Sequence, residues 1–187
     1  VVGQGTEAMS GMKTGMELDV LNGLGNGFDT SRCGDKPLLI GGGVGLPPMI
    51  GLCRQLIAEG KHPTVLAGFN TESEVFLRDA VEDMGAAFVL ATMDGSAGVK
   101  GLVTDALKEL IESGNQYDEI FAIGPMIMMK FVCKTTEPYG IPTTVSMSPI
   151  MIDGTGMCGG CRLTVGGEMK FACVDGPDFD GHKVDWD

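Results

Sequence analysis

Basic residues are scarce in this chain: 13 Lys and Arg face 25 Asp and Glu, giving a net charge of −12. No Lys/Arg cluster offers the electrostatic footprint that a phosphate backbone requires, which excludes nucleic acid as a partner. Histidine is rarer still, with only His62 and His182. Neither has a nucleophile or an orienting partner nearby in sequence, so both are expected on the surface and no catalytic side chain is assigned. No apolar run approaches the roughly 20 residues of a membrane-spanning helix, so no membrane contact is expected and the cytoplasm is the expected location. Aromatic residues make up 6% of the chain, yet 43% of its 187 residues are hydrophobic. That suffices for one main domain with an appendage.

What the chain does have is 30 Gly, 13 Met and 6 Cys. The methionines read as adaptable core packing. The opening 28 residues, with short strand candidates at Val1-Val2 and at 18–21 between Gly-rich turns, read as the last strands of a β-domain whose beginning is missing. The chain is thus expected to be a fragment, with a barrel remnant and linker at 1–30. From Pro37 onward, short apolar runs of the buried parallel kind (38–40, 64–69, 86–91, 119–123, 143–146) alternate with helical periodicity at 46–58, 72–84, 102–112 and 126–135. This alternation predicts an α/β fold: a five-stranded parallel, doubly wound nucleotide-binding domain over 36–148. Ligands bind such sheets at the carboxyl ends of the strands.

Three strand ends carry suitable loops. The first strand runs into Gly41-Gly42-Gly43-Val44-Gly45-Leu46-Pro47-Pro48, a glycine turn and helix start able to present backbone N–H groups to a pyrophosphate. It departs from the G-x-G-x-x-G pattern, because Pro48 takes the third glycine position and the second strand ends in Gly68-Phe69-Asn70 without an acidic residue. A tight turn needed only for packing is the competing reading. Asp94-Gly95, after the third strand, offers a carboxylate for ribose hydroxyls or forms a plain Asp-Gly turn. Gly124-Pro125-Met126 follows the fourth strand.

Residues 149–187 form the appendage, a glycine loop with a small hairpin (162–165 and 169–172) turning at Gly166-Gly167. Within it Asp153, Cys158, Cys161 and Cys173 are spaced D-x4-C-x2-C-x11-C, close to the C-x4-C-x2-C…C arrangement of plant-type [2Fe-2S] sites with aspartate in the first position. Crowding of three cysteines favours a metal site over disulfides. Cys53 and Cys133 read as buried small hydrophobes, and Cys33 sits in a polar loop. The competing metal is zinc, with the three thiols and His182 as a Cys3His site. An aspartate oxygen is harder than a thiolate and is expected to shift the potential of an iron centre.

Several of these segments resemble one family. GGGVGLPP resembles the G-G-x-G-x-x-P nucleotide loop of ferredoxin-reductase-like flavoproteins. Residues 123–128, IGPMIM, resemble their C-G-P-x-x-M segment, with Ile123 where many members have cysteine. Residues 21–28, LNGLGNGF, are similar to their G-P-L-G-N-G-F linker. Within that family the chain is similar to electron-transfer subunits of dihydroorotate dehydrogenase B. Its tail from Met151 onward is more similar still to small subunits of NADH-dependent reduced ferredoxin:NADP oxidoreductase, or sulfide dehydrogenase. The resemblance implies NAD(H) on the sheet, with Gly43, Val44, Gly45 and Pro48 at pyrophosphate, Gly68, Asp94 and Gly95 toward ribose, and Gly124, Pro125 and Met126 flanking nicotinamide. It implies a [2Fe-2S] cluster on Asp153, Cys158, Cys161 and Cys173, and FAD held mainly by the missing barrel, with Gly5, Thr6, Gly25 and Asn26 contributing. The family's flavin-binding R-x-Y-[ST] strand is absent, since none of Arg32, Arg54, Arg78 and Arg162 has Tyr two residues on. The implied role is an oxidoreductase subunit moving electrons among NAD(P)H, FAD and the cluster to a larger flavoprotein or iron–sulfur subunit in a heterodimer, with ferredoxin as a further partner.

Overall fold

Alternation along the strands decides which layer each residue joins. The computed structural model describes residues 3–187. Helix α1 (Gly3–Ser10) is followed by β1 (Leu38–Gly42), α2 (Leu46–Ala58), β2 (Thr64–Phe69), α3 (Arg78–Glu82), β3 (Ala87–Thr92), β4 (Val99–Lys100), α4 (Val103–Glu112), β5 (Ile120–Ile123), α5 (Met126–Thr136) and β6 (Thr143–Ser146). A hairpin of β7 (Arg162–Val165) and β8 (Glu168–Phe171) precedes β9 (Asp178–Asp180). Leu38 and Ile40 of β1 point to the layer built by Val103, Leu107, Met129 and Val132 of α4 and α5. Leu39 points the other way, to Leu46, Met49, Leu52 and Val81 of α2 and α3. Helices thus cover both faces, and each fully buried Leu or Ile contributes about 1.5–3 kcal/mol of hydrophobic stabilisation.

The sheet order is β4-β3-β2-β1-β5-β6-β9, with β1 parallel to both β2 and β5. All five strands expected from the sequence are present. The sheet is wider than expected, because β4 extends one edge and β9 pairs antiparallel with β6 at the other. Chain order reverses between β1 and β5, which makes their carboxyl ends the switch point where such sheets take ligands.

The opening segment departs from expectation. Val1-Val2 lies outside the described residues, 3–10 is an exposed helix, and 18–21 forms no strand. A barrel strand needs neighbours to take its N–H and C=O groups, and here none pairs with them. The helix expected over 72–84 breaks in two. Phe76 packs edge-on against Phe69 at 5.4 Å, Leu77 takes a left-handed φ of 61°, and α-helix begins only at Arg78. The linker is anchored beneath the sheet by Phe28, whose ring meets Phe121 at 5.4 Å and 85°. Cys33 is buried in that layer, and burial pushes its thiol to about 11, that of Cys53 to about 11 and that of Cys133 to about 12. All three act as small hydrophobes.

Glu119, just before β5, is a buried carboxylate that accepts a hydrogen bond from Thr144 Oγ1 at 2.9 Å. Burial, opposed by that bond, raises its pKa above the ordinary value. The folded chain therefore holds this proton to higher pH than the unfolded chain does, and stability falls as pH rises through that window. Glu119→Gln keeps the acceptor and removes the buried charge. Thermal unfolding should show the variant more stable than the parent at neutral pH, with the gain vanishing below the carboxylate range. A Gln variant that melts lower at neutral pH would contradict this.

Candidate functional site

At the carboxyl end of β1 the chain makes a single 3-10 turn, Gly43–Gly45, before α2. Gly45 is packed: a Cβ there would stand 2.1 Å from the Ile123 carbonyl oxygen. Gly43, at φ +51°, has no atom within 4 Å of where its Cβ would be, and Val44 beside it is 82% exposed. The turn therefore has a packed side that fixes it to β5 and an open side at the ligand edge. Pro48 cannot serve pyrophosphate as a donor, because Pro47 and Pro48 occupy the first turn of α2 and lack N–H groups. Leu46 N–H already bonds the Gly43 carbonyl. Any anion there must be held by the turn's own backbone.

Met128 of α5 clamps the turn to the next loop. Its sulfur lies 2.5 Å from a Cβ placed at Gly42, and its methyl 2.7 Å from one at Gly124. Only glycines admit it. Met126, after Gly124-Pro125, is 59% exposed at the same edge. Gly68, whose Cβ would meet Val103 at 3.1 Å, serves packing against α4. Asp94 forms the Asp-Gly turn: its Oδ1 accepts the Ser96 hydroxyl at 2.6 Å and the Ser96 N–H at 2.9 Å. Those bonds, the hydroxyl's first, hold the carboxyl below the usual range. Gly95, at φ +75°, completes the turn. The result is an ionised carboxylate at the edge of the sheet.

The second site hangs from that edge. The chain leaves β6 at its carboxyl end and returns there, where Met147 N–H bonds the Pro177 carbonyl at 2.8 Å. Gly25 and Asn26 stitch the linker to the same return: Gly25 N–H donates to the Cys173 carbonyl and Asn26 N–H to the Gly176 carbonyl, at 2.9 and 2.6 Å. A side chain at Gly25 would meet the Gly176 oxygen at 2.6 Å. The structure thus brings Gly25 and Asn26 to the cysteine segment.

Cys161 and Cys173, both buried, have sulfurs 3.3 Å apart as free thiols. Hydrogen bonding from the Cys173 backbone lowers the pKa of Cys161, and the thiol–thiol bond raises that of Cys173. Asp153 takes the Thr155 N–H on one oxygen and the Cys158 N–H on the other, each at 2.8 Å, and these bonds hold it ionised. Cys158 is exposed, and its sulfur accepts the Gly160 N–H at 3.3 Å. Two pairs result, Cys161 with Cys173 and Asp153 with Cys158. Among the described residues, no three His, Cys, Asp or Glu side chains converge on one point. A Cys3His zinc site would need the His182 ring, which is bound to Thr136 Oγ1 at 3.0 Å. A binuclear cluster carries two protein ligands on each iron, which paired donors fit.

Residues 39–134 match the oxidoreductase NAD-binding domain, and residues 148–185 match the iron-sulfur cluster binding domain of dihydroorotate dehydrogenase B. The chain is 44% identical over 188 residues to the dihydroorotate dehydrogenase B electron transfer subunit homolog of Thermotoga maritima, covering 100% of this chain and 66% of that protein. It is 38% identical to the electron transfer subunit of Clostridium acetobutylicum, covering 98% and 71%. The chain belongs to this family of electron-transfer subunits. In structure it superposes on a chain of NADH-dependent reduced ferredoxin-NADP oxidoreductase with a TM-score of 0.88 at 42% identity, covering all of this chain and 67% of that one. The chain spans 66% and 51% of the length of the first two curated relatives it matches. Among the described residues no helix is long and apolar enough to cross a membrane.

β9 escaped the sequence reading. Met128 is the methionine that closes the segment resembling C-G-P-x-x-M, and its contact with Gly42 and Gly124 is what the structure adds. The three-residue alternation Asp178-Phe179-Asp180 after Pro177 was the available signal for β9.

Proposed function

We propose that this chain moves electrons between NAD(P)H, a flavin and a [2Fe-2S] cluster, and delivers them to a larger partner subunit. The observation that carries the reading is the placement of the cysteine segment on the carboxyl edge of the nucleotide sheet, tied there by Met147 to Pro177 and by the Gly25–Asn26 linker. Both sites then share the carboxyl edge of one sheet, where cofactors supply the redox chemistry and the protein supplies position. The open side of Gly43 would take pyrophosphate, Asp94 would face ribose hydroxyls, and Gly124 to Met126 would flank nicotinamide. Cys161 with Cys173 and Asp153 with Cys158 would hold the two irons. The cluster, when bound, supplies one-electron exchange. FAD would be held mainly by sequence outside this chain, and ferredoxin is a further candidate partner.

A second reading, the electron-transfer subunit of dihydroorotate dehydrogenase B itself, is favoured by the names of the relatives. Copurification decides between the two, because the catalytic partner differs. For the proposal as a whole, NADH mixed in stopped flow with the full-length subunit should bleach the flavin absorbance within milliseconds to seconds. Iron and sulfide should be recovered together from the same sample. Flavin that NADH leaves oxidised, or a colourless protein holding one zinc, would overturn it.

A further inference from the structure

The foot of the β7–β8 hairpin holds two cysteines side by side through contacts that need no metal. Arg162 pairs with Phe171 in the ladder, and next to that pair the Ala172 N–H donates to the Cys161 carbonyl at 3.1 Å. The Cys173 carbonyl accepts the Gly25 N–H at 2.9 Å. Both cysteines belong to the core that contains Ala172 and Phe179, and there their sulfurs lie 3.3 Å apart. A disulfide spans about 2.05 Å, so roughly 1.3 Å of approach separates this pair from a bond, a shift that small side-chain rotations supply.

The remaining thiols are placed otherwise. Cys158 stands C-x-x-C from Cys161 but is exposed, and its sulfur accepts the Gly160 N–H at 3.3 Å while its own N–H goes to Asp153. Cys133 shares the core, but its sulfur lies against Gly181. Cys33 and Cys53 sit in the opposite layer. Spacing in the chain would link Cys158 to Cys161, whereas the hairpin presents Cys161 to Cys173.

We propose that Cys161 and Cys173 form a disulfide whenever the iron–sulfur site is unloaded in an oxidising medium, and that loading begins with its reduction. The bond rests on the hairpin geometry, and its effect on loading rests on the cluster reading above. The oxidant is a low-molecular-weight disulfide. Its S–S bond breaks, one S–S bond forms between Cys161 and Cys173, and the two cysteine protons leave on the two reagent thiols as two electrons pass to the reagent. Cys158, being exposed, is the thiol such a reagent meets first. Cys161 attacks the mixed disulfide at Cys158, and Cys173 then attacks Cys161 and releases Cys158 as a thiol. The inner pair is favoured at equilibrium because the hairpin already holds both of its sulfurs, while a free thiol must give up its motion to compete. Once closed, the pair withdraws both of its sulfurs from the candidate ligand set, since only a thiolate binds metal.

Full-length subunit freed of iron by a chelator, equilibrated in glutathione buffers of rising oxidised fraction, alkylated and mapped by mass spectrometry, tests this. A peptide linking Cys161 to Cys173 should appear as the thiol count per chain falls by two. Cys158→Ser should reach the same bond more slowly. Iron and sulfide uptake by the oxidised protein should be at least about tenfold below its uptake after dithiothreitol, because the bonded sulfurs cannot act as ligands. A Cys158–Cys161 link at equilibrium, both thiols of the pair still free in fully oxidised glutathione, or equal uptake with and without dithiothreitol overturns the assignment. A linked protein that takes up no iron and sulfide even after reduction keeps the disulfide and overturns the cluster reading instead.

Discussion

Cys161→Ser should abolish the visible bands of the cluster and lower iron and sulfide per chain at least tenfold, while leaving NADH affinity within about twofold (an affinity difference below 1 kcal/mol). Cys161 is 2% exposed and its sulfur lies 3.3 Å from that of Cys173, so it is the inner member of a buried pair. A serine hydroxyl binds iron poorly beside soft sulfur ligands. It would also sit in the core formed with Ala172 and Phe179, where an unsatisfied hydroxyl costs about 1–3 kcal/mol. The nucleotide edge, by contrast, is fixed by Gly45 against Ile123 and by Met128 between Gly42 and Gly124. The damage should therefore stay in the cysteine segment.

Two other cysteines make the comparison specific. Cys158→Ser changes an exposed ligand candidate in a glycine loop. It should retain some colour, with a shifted spectrum. Cys33→Ser alters only core packing, and its thiol, pushed to about 11 by burial, has no role as a ligand. It should cost stability and leave iron untouched. Metal and sulfide analysis of the three variants checks the series. A Cys161→Ser protein with full iron and sulfide would remove Cys161 from the ligand set.

Short, mostly apolar runs such as Leu38 to Ile40, alternating with helical periodicity that ends near Gly or Pro, made the doubly wound sheet legible. β9 was not legible, since Asp178 and Asp180 carry charges in a three-residue run and the strand exists only because β6 offers it an edge. The broken helix before β3 was hidden for a similar reason. Val75, Phe76 and Ala80 satisfy helical spacing, but the contact of Phe76 with Phe69 outweighs local propensity. At the sites, residue type announced the four iron ligand candidates, yet their division into two pairs is set by loop geometry that spacing does not encode. Gly25 and Asn26 were read as cofactor residues because their motif resembled a flavin linker. In the structure their backbone N–H groups fasten Cys173 and Gly176.

The glycine turn yields the second large effect. A Cβ at residue 45 would lie 2.1 Å from the Ile123 carbonyl oxygen and 2.6 Å from its carbon. Both are main-chain atoms of the central sheet, so no rotamer change can relieve the contact. Either the turn lifts off β5 or β5 moves and carries its fully buried Phe121 with it. Gly45→Ala should therefore cost about 3 kcal/mol, the upper part of the range for overpacked sites. It should also weaken NADH binding at least tenfold, because lifting the turn displaces the backbone that would face pyrophosphate. Gly43→Ala tests whether this is steric or conformational. There the space is open and only φ +51° opposes the side chain, at a cost of about 1 kcal/mol. Denaturant unfolding and NADH titration of both variants separate the two effects. Equal losses in the two would mean that backbone conformation governs the turn, and that its contact with β5 does not.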